Sequence, residues 1–156
     1  MSVNIGIPLK DLQAVANELQ KILADEFVLY TKTRNYHWNV EGDNFMELHK
    51  FFETQYEALD EIMDEVAERI RMLGHYSEAR LKDFIQLTRL DEPAYTSDQK
   101  QQLQNLLSDH EILIQALRKD INAFSDQYKD LGSADFVTGL LRHHEKSAWF
   151  IRSYLK

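Results

Sequence analysis

The sequence predicts an all-α protein, a four-helix bundle with a short extra helix in the crossover between the second and third long helices. Three observations lead to this prediction. Apolar residues recur at helical spacing over four long stretches of the 156-residue chain. Five glycines and two prolines leave few positions at which a helix can end. We find no strand pattern, and we expect one domain, residues 1–156, with a short N-terminal tail at residues 1–8.

The first two long helices have recognisable ends in the sequence. The first is expected to begin at Pro8, because proline suits a first helical turn, and to run to about His37. The second is expected to begin near Asn44, which forms a cap pattern with Glu47, and to stop at Gly74. Apolar residues mark one face of each helix, so both are expected to pack into the bundle.

The second half of the chain predicts one short helix and two long ones. The short helix is expected around residues 79–87 and is followed by a loop. The third long helix is expected to start at a capping pattern in residues 96–99. Gly132 and Ser133 are expected to break the chain before the fourth long helix, residues 134–154. The connection between the second and third long helices is long enough to cross the bundle.

Composition limits the classes of function. The net charge is −8, so the chain repels DNA phosphate unless its cations are clustered. It contains no cysteine, which excludes disulfides and thiolate metal sites. No apolar run approaches the ~18 residues of a membrane-spanning helix, and the N-terminus lacks the pattern of a signal peptide. We therefore expect a cytoplasmic protein with no membrane partner.

The second helix carries a polar stripe beside its apolar face. The members of the stripe are spaced three or four residues apart and are His49, Glu53, Glu57, Asp60, Asp64 and Glu68. A solvated surface is the common explanation of an acidic helix face. Two features favour a metal site: the acids lack lysines four residues on, and a second histidine, His37, lies at the end of the preceding helix.

Distance decides how such a site would be built. His49 and Asp64 are separated by roughly 22 Å along the helix, so they cannot share a metal within one chain. Two copies of the helix packed antiparallel about a two-fold axis would bring them together, and symmetry would create the site twice. Imidazole and carboxylate ligands suit Fe(II), Zn(II) or Mn(II). A di-iron site inside one bundle would need two Glu-x-x-His motifs, and no histidine in this sequence has an acid three residues before it.

Residues 36–74, YHWNVEGDNFMELHKFFETQYEALDEIMDEVAERIRMLG, resemble the signature of the Dps family, the miniferritins of the ferritin-like superfamily. The resemblance extends over the whole chain. It implies a dodecameric shell that oxidises Fe(II), preferably with hydrogen peroxide, and stores ferric mineral as protection against oxidative damage. It implies ferroxidase sites at two-fold interfaces, with two irons per site and with Zn or Mn as substitutes. One subunit would supply His37, His49 and Glu53, and its mate would supply Asp64 and Glu68.

The same resemblance assigns further residues. Members of the family usually have aspartate where this chain has Glu53, and the extra methylene puts the affinity for one of the two irons in question. Trp38 would trap stray oxidising equivalents, or would simply pack at the helix end. Acidic pores for iron entry lie near the start of the last helix, which points to Asp135, with Asp126 and Asp130 just upstream.

DNA binding is the alternative function that the resemblance raises, as a DNA-compacting nucleoid protein with weak iron chemistry. Family members that bind DNA directly usually do so through a mobile, lysine-rich tail. Residues 1–10 contain one lysine, so few counterions would be released on binding. We expect no strong direct binding to DNA. A purely structural bundle with a solvated acidic face is the remaining reading.

The other histidines and the second tryptophan are given structural roles. Trp149 lies in an apolar pattern and is expected in the core. His143 and His144 are expected to form a surface or interface pair. His75 and His110 are also expected to be structural.

Overall fold

The computed structural model describes residues 3–156 and has five α-helices. They are α1, Leu9–Asn39; α2, Phe45–Met72; α3, Leu81–Leu87; α4, Gln99–Asn122; and α5, Leu131–Tyr154. A π-helical turn, Ala123–Gln127, continues α4. Within residues 3–156 a single bridge between Glu41 and Asp98 is the only strand-like pairing, so the predicted all-α fold is confirmed. None of the helices in this part of the chain combines the length and apolarity needed to cross a bilayer.

The crossover runs the length of the bundle. α1 packs along α2 and α4 packs along α5, while α1 also meets α4. The backbone N–H of Glu41, just before α2, donates to the carbonyl oxygen of Ser97, just before α4, at 3.1 Å. Both helices therefore start at the same end of the molecule, and the chain must return from the far end of α2 to reach α4. The short α3 packs against α1 on this return path.

The core lies where the four long helices face one another. Its largest side chains are fully buried, and they include Leu12, Leu19, Ile22, Leu29, Leu48, Phe52, Leu59, Ile70, Leu106, Leu113 and Phe124. Each buried side chain of this size contributes about 1.5–3 kcal/mol to folding relative to leaving it in water. Because these residues recur at helical spacing, the polar stripe of α2 is turned away from the core.

The junction between α1 and α2 differs in detail from the prediction. α1 continues two residues beyond His37 to Asn39. Asn44 stands at the N-cap of α2, but within the described residues its side chain makes no capping hydrogen bond. Glu47 instead accepts a hydrogen bond from the Tyr154 hydroxyl at 3.0 Å. The predicted cap pair is therefore wrong, and Glu47 ties the start of α2 to the end of α5.

The starts of α4 and α5 are set by aspartates. The carboxylate of Asp98, not Thr96, caps α4 by accepting from the N–H three residues on, at 2.7 Å. Asp130 caps α5 by accepting from the backbone N–H of Ser133 at 2.9 Å. Gly132 and Ser133 therefore lie inside the first turn of α5 and do not break the chain, contrary to the prediction.

Two expected side-chain positions are also wrong. Trp149 is 58% exposed, so it lies on the surface of α5 and not in the core. His144 is fully buried, whereas it was expected at a surface or an interface. Helical spacing alone does not assign either residue correctly, because α5 has apolar residues on both its inner and outer faces.

Candidate metal centre

His37 and His49 lie together where α1 ends and α2 begins. The Nδ1 of His37 contacts the carbonyl oxygen of His49 at 2.7 Å, and the Nδ1 of His49 contacts the carbonyl oxygen of His37 at 2.8 Å. A carbonyl only accepts, so each Nδ1 carries a hydrogen and donates it. The rings stack with centroids 3.8 Å apart. In the neutral imidazole, the form that binds metals, this hydrogen bond would leave Nε2 of each ring as the ligand atom.

The loop before α2 sets this geometry. Gly42 has φ +125°, a conformation that L side chains rarely adopt. A Cβ at this position would also lie 2.7 Å from the Gln99 side-chain nitrogen. Glycine thus allows a tight return of the chain against the start of α4, and the return brings the two histidines into contact.

Aromatic side chains enclose the histidine pair. Phe45 stacks on His49 with centroids 5.2 Å apart, and Tyr56 meets His37 edge-on at 5.2 Å. The Arg34 guanidinium lies 4.3 Å from the centroid of the Tyr56 ring. It also lies 5.1 Å from the centroid of Trp38, a side chain that is 64% exposed.

Glu53 lies one turn beyond His49 and is half-buried. Its carboxylate accepts a hydrogen bond from Lys50 Nζ at 2.5 Å. This hydrogen bond is the main cause that holds the pKa of Glu53 below its usual range, and the nearby imidazoles lower that pKa further. The Lys50–Glu53 contact was not predicted, because Lys50 lies three residues before Glu53 and not four residues after an acid of the stripe.

Asp64 and Glu68 lie on the same helix, well beyond the histidines, and both are exposed. Asp60 and Glu57 fill the interval and are exposed as well. Within residues 3–156 no three histidine, aspartate or glutamate side chains converge on a common point. The described chain therefore pairs His37 with His49, places Glu53 one helical turn beyond His49, and leaves Asp64 and Glu68 further along α2.

An apolar groove borders the far end of the stripe. Asp60 and Asp64 of α2 line it together with Phe84 of α3. Two large apolar side chains of α3, Leu81 and Ile85, are 67% and 66% exposed. Asp60 and Asp64 thus lie beside apolar surface of the kind that is buried when proteins associate.

The three aspartates assigned to a pore have different environments. Asp135, in the first two turns of α5, and Asp126, in the π-helical turn, are exposed. Asp130 is buried, caps α5 through Ser133, and pairs with Arg69 at 3.2 Å. A carboxylate that is already bound to the backbone and to an arginine is poorly placed to receive a passing cation.

A buried chain of hydrogen-bonded polar side chains crosses the interior of the bundle, and the sequence did not predict it. Glu26 on α1 contacts His144 Nε2 at 2.8 Å, and His144 Nδ1 contacts His110 Nδ1 at 2.9 Å. All three side chains are at most 2% exposed. Burial, helped by the charges of His144 and His143, holds the pKa of His110 well below its ordinary value. Glu26 Oε2 finds no hydrogen-bond partner among the described residues.

Comparisons with known proteins agree with this architecture. Residues 16–156 match the ferritin-like domain family. A low temperature-induced protein from Nostoc sp., itself uncharacterised, is 41% identical, with 99% of this chain and 87% of that protein covered. The DNA protection during starvation protein 2 of Bacillus anthracis is 32% identical over 90% of this chain and 96% of that protein. The crystal structure of a Dps protein from Vibrio cholerae, described as a ferritin-like diiron-carboxylate protein, superimposes with a TM-score of 0.93 at 30% identity, with 100% and 98% of the two chains covered.

Proposed function

The chain belongs to the Dps family of ferritin-like proteins, and from this premise we propose that it is a ferroxidase that oxidises Fe(II) and stores the ferric product. The active form is a hollow homo-oligomeric shell, a dodecamer, with catalytic sites at its two-fold interfaces. Hydrogen peroxide is the preferred oxidant, and the result is protection against oxidative damage. Iron is the substrate of this reaction, and Zn(II) or Mn(II) can occupy its positions.

The observation that carries this proposal is the reciprocal hydrogen bonding of His37 and His49. Both Nδ1 atoms donate to backbone carbonyls, and this fixes both rings with Nε2 as the ligand atom. Because the acceptors belong to the backbone, substitution of a neighbouring side chain does not remove them.

The remaining ligands come from a second subunit. The ~22 Å between His49 and Asp64 along α2 rules out a shared metal within the chain. Antiparallel packing of two α2 helices places Asp64 and Glu68 of the partner subunit opposite His49 and Glu53. The groove beside Asp64 and the exposed Leu81 and Ile85 of α3 supply apolar surface for that interface.

Each site handles two irons. Two Fe(II) ions give one electron each to hydrogen peroxide, which takes up two protons and leaves as two waters. Paired irons therefore avoid the one-electron cleavage of peroxide that would release hydroxyl radical. Trp38, near the site and largely exposed, traps oxidising equivalents that escape.

Glu53 sets the affinity for one of the irons. It must exchange the Lys50 ammonium for a metal ion before it can act as a ligand. Its extra methylene relative to aspartate shifts the carboxylate by roughly one bond length, and metal–ligand distances tolerate about 0.2 Å. We therefore place the weaker of the two iron positions at Glu53.

Iron enters through an acidic pore near the start of α5. Exposed Asp135 is the principal residue of the proposed pore, with Asp126 as an outer contributor. Asp130 is left out of the pore as a cation ligand, because its carboxylate is bound to Arg69 and to the first turn of α5. It instead fixes the orientation of the segment that carries the other two.

The test is stopped-flow absorbance of ferric formation. Fe(II) is added anaerobically at two per site and then mixed with peroxide or with oxygen. His49→Ala and Asp64→Ala remove ligands from opposite ends of the proposed site, and Glu92→Ala, an exposed acid in the loop before α4, is the matched control. We expect fast peroxide oxidation in the wild type and the control and its loss in both ligand variants. Oxidation no faster than that of free iron would exclude a ferroxidase.

Compaction of DNA is the second candidate, because several relatives are named for DNA protection. The net charge of −8 per subunit opposes it. A gel-shift titration at physiological salt, about 150 mM, distinguishes the two functions. A tight complex at that salt would favour the nucleoid role, and unretarded DNA would favour the ferroxidase.

A further inference from the structure

We propose that Tyr56 is a redox-active residue of the ferroxidase site and supplies one electron when the site holds a single iron. This inference rests on the proposed function and adds to it a residue that neither the resemblance nor the family comparison assigns. It concerns the state in which the weaker iron position, at Glu53, is empty while peroxide is present.

Contact with a metal ligand is the first argument. Among the aromatic rings of this region, Tyr56 meets His37 edge-on with centroids 5.2 Å apart, which is direct van der Waals contact. His37 in turn stacks on His49 at 3.8 Å. Tyr56 therefore contacts one imidazole ligand directly and reaches the second through it, and an electron needs to cross no solvent to reach an iron held by His37.

The charge next to the ring is the second argument. Arg34 holds its guanidinium 4.3 Å from the Tyr56 centroid. A cation at this distance opposes positive charge on the ring, so the electron leaves together with the phenolic proton and the product is a neutral tyrosyl radical. The side chain is partly exposed, so solvent accepts that proton.

The reaction balances with peroxide as the oxidant. One Fe(II) becomes Fe(III) and gives one electron. Tyr56 loses one electron and one proton and gives the second electron. Hydrogen peroxide takes both electrons and two protons from solvent, its O–O bond breaks, and it leaves as two waters. No hydroxyl radical is released, although only one iron is bound.

Trp38 is the competing electron source. Trp38 is 64% exposed, and its ring centroid lies 5.1 Å from the Arg34 guanidinium. The same cation therefore lies beside both Trp38 and Tyr56. The two residues differ in that Tyr56 packs edge-on against the His37 ring. Tyrosyl and tryptophanyl radicals have different electron paramagnetic resonance spectra, so one measurement separates them.

The experiment loads the whole assembly with one Fe(II) per site, mixes it with peroxide and freezes it for electron paramagnetic resonance. Tyr56→Phe keeps the ring and its contact with His37 but removes the oxidisable hydroxyl. Tyr76→Phe is the matched control, because Tyr76 also lies under an arginine, Arg71, at 4.3 Å from its centroid. Ring-deuterated tyrosine identifies a tyrosyl signal by its narrowed lines, and a spin trap reports hydroxyl radical.

We expect a tyrosyl signal in the wild type and in Tyr76→Phe, its loss in Tyr56→Phe, and more trapped hydroxyl radical in that variant. A tyrosyl signal that survives in Tyr56→Phe, or a tryptophanyl signal lost in Trp38→Phe, would overturn the inference. So would iron oxidation with no protein radical at all. Failure of the wild type to oxidise iron in the stopped-flow test would refute the proposed function itself, which separates the two failures.

Discussion

His37 and His49 orient each other through the backbone, since the Nδ1 of each ring donates to the carbonyl oxygen of the other at 2.7 and 2.8 Å. Metal-binding histidines commonly need separate residues to fix their rings. Here the two rings and the two helix ends form one unit, because His37 lies in the last turn of α1 and His49 in the second turn of α2. A displacement of one helix end therefore moves both imidazoles together, and the spacing between their Nε2 atoms is preserved.

Mixed assemblies test whether the site is shared between subunits. A His49→Ala subunit retains Asp64, and an Asp64→Ala subunit retains His49. Paired across a two-fold axis, they rebuild one intact site and leave one doubly damaged site. Random co-assembly of equal amounts should restore about a quarter of the wild-type sites. Fast iron oxidation in the reassembled mixture is the measurement.

The control for that experiment is a mixture without reassembly. The two variants combined as preformed shells should stay inactive, because no subunit is exchanged. An inactive co-assembled sample, with mixing verified by mass spectrometry, would contradict a site built from two subunits. Such a result would mean that all the metal ligands of the site come from one chain.

Lys50→Met tests the competition for Glu53. The Lys50–Glu53 pair joins a 71% exposed ammonium to a 27% exposed carboxylate. An exposed pair of this kind is screened by solvent and contributes little, so freeing the carboxylate should strengthen Zn(II) binding only a few-fold. Isothermal titration calorimetry measures the change, with Lys82→Met on α3 as the control. A weaker affinity in Lys50→Met would mean that Lys50 supports the ligand and does not compete with it.

The four long helices followed from the sequence because they depend on regular spacing. The intersubunit site rests on the same spacing and stays a prediction. Apolar residues every three or four positions define which face of α2 enters the core. The rise of a helix fixes the separation of His49 and Asp64 without any tertiary information. The reciprocal bonds of His37 and His49 did not follow, because they depend on the path of residues 40–44 between two helices.

The buried chain of Glu26, His144 and His110 escaped prediction for a different reason. Its members come from three helices and are separated by up to 118 residues. Each one alone looks like an ordinary polar residue of an amphipathic helix. A burial pattern that rests on contacts between distant elements leaves no local signature in the sequence.

His144→Leu should destabilise the protein strongly. The change leaves the fully buried Glu26 side chain without its hydrogen bond to His144, which costs about 1–3 kcal/mol for an unsatisfied buried polar group. The double variant Glu26→Leu/His144→Leu removes both polar groups and should recover much of that loss. Thermal unfolding followed by circular dichroism compares the three proteins. A double variant that is less stable than His144→Leu would mean that Glu26 has another essential interaction.

Asp120→Asn should stabilise the protein at neutral pH. Burial raises the pKa of Asp120 to about 6, and Arg89 at 4.0 Å only partly offsets this. Because the folded-state pKa lies above the unfolded value of 3.8, folding is penalised above about pH 6 and the penalty fades as the pH falls towards 3.8. A neutral amide removes the penalty, which is about 1–3 kcal/mol for a buried unsatisfied group. Unfolding midpoints of wild type and variant should differ at pH 7.5 and converge near pH 4, with the exposed Asp126→Asn as the control. A difference that does not change with pH would show that the benefit comes from packing and not from the charge of Asp120.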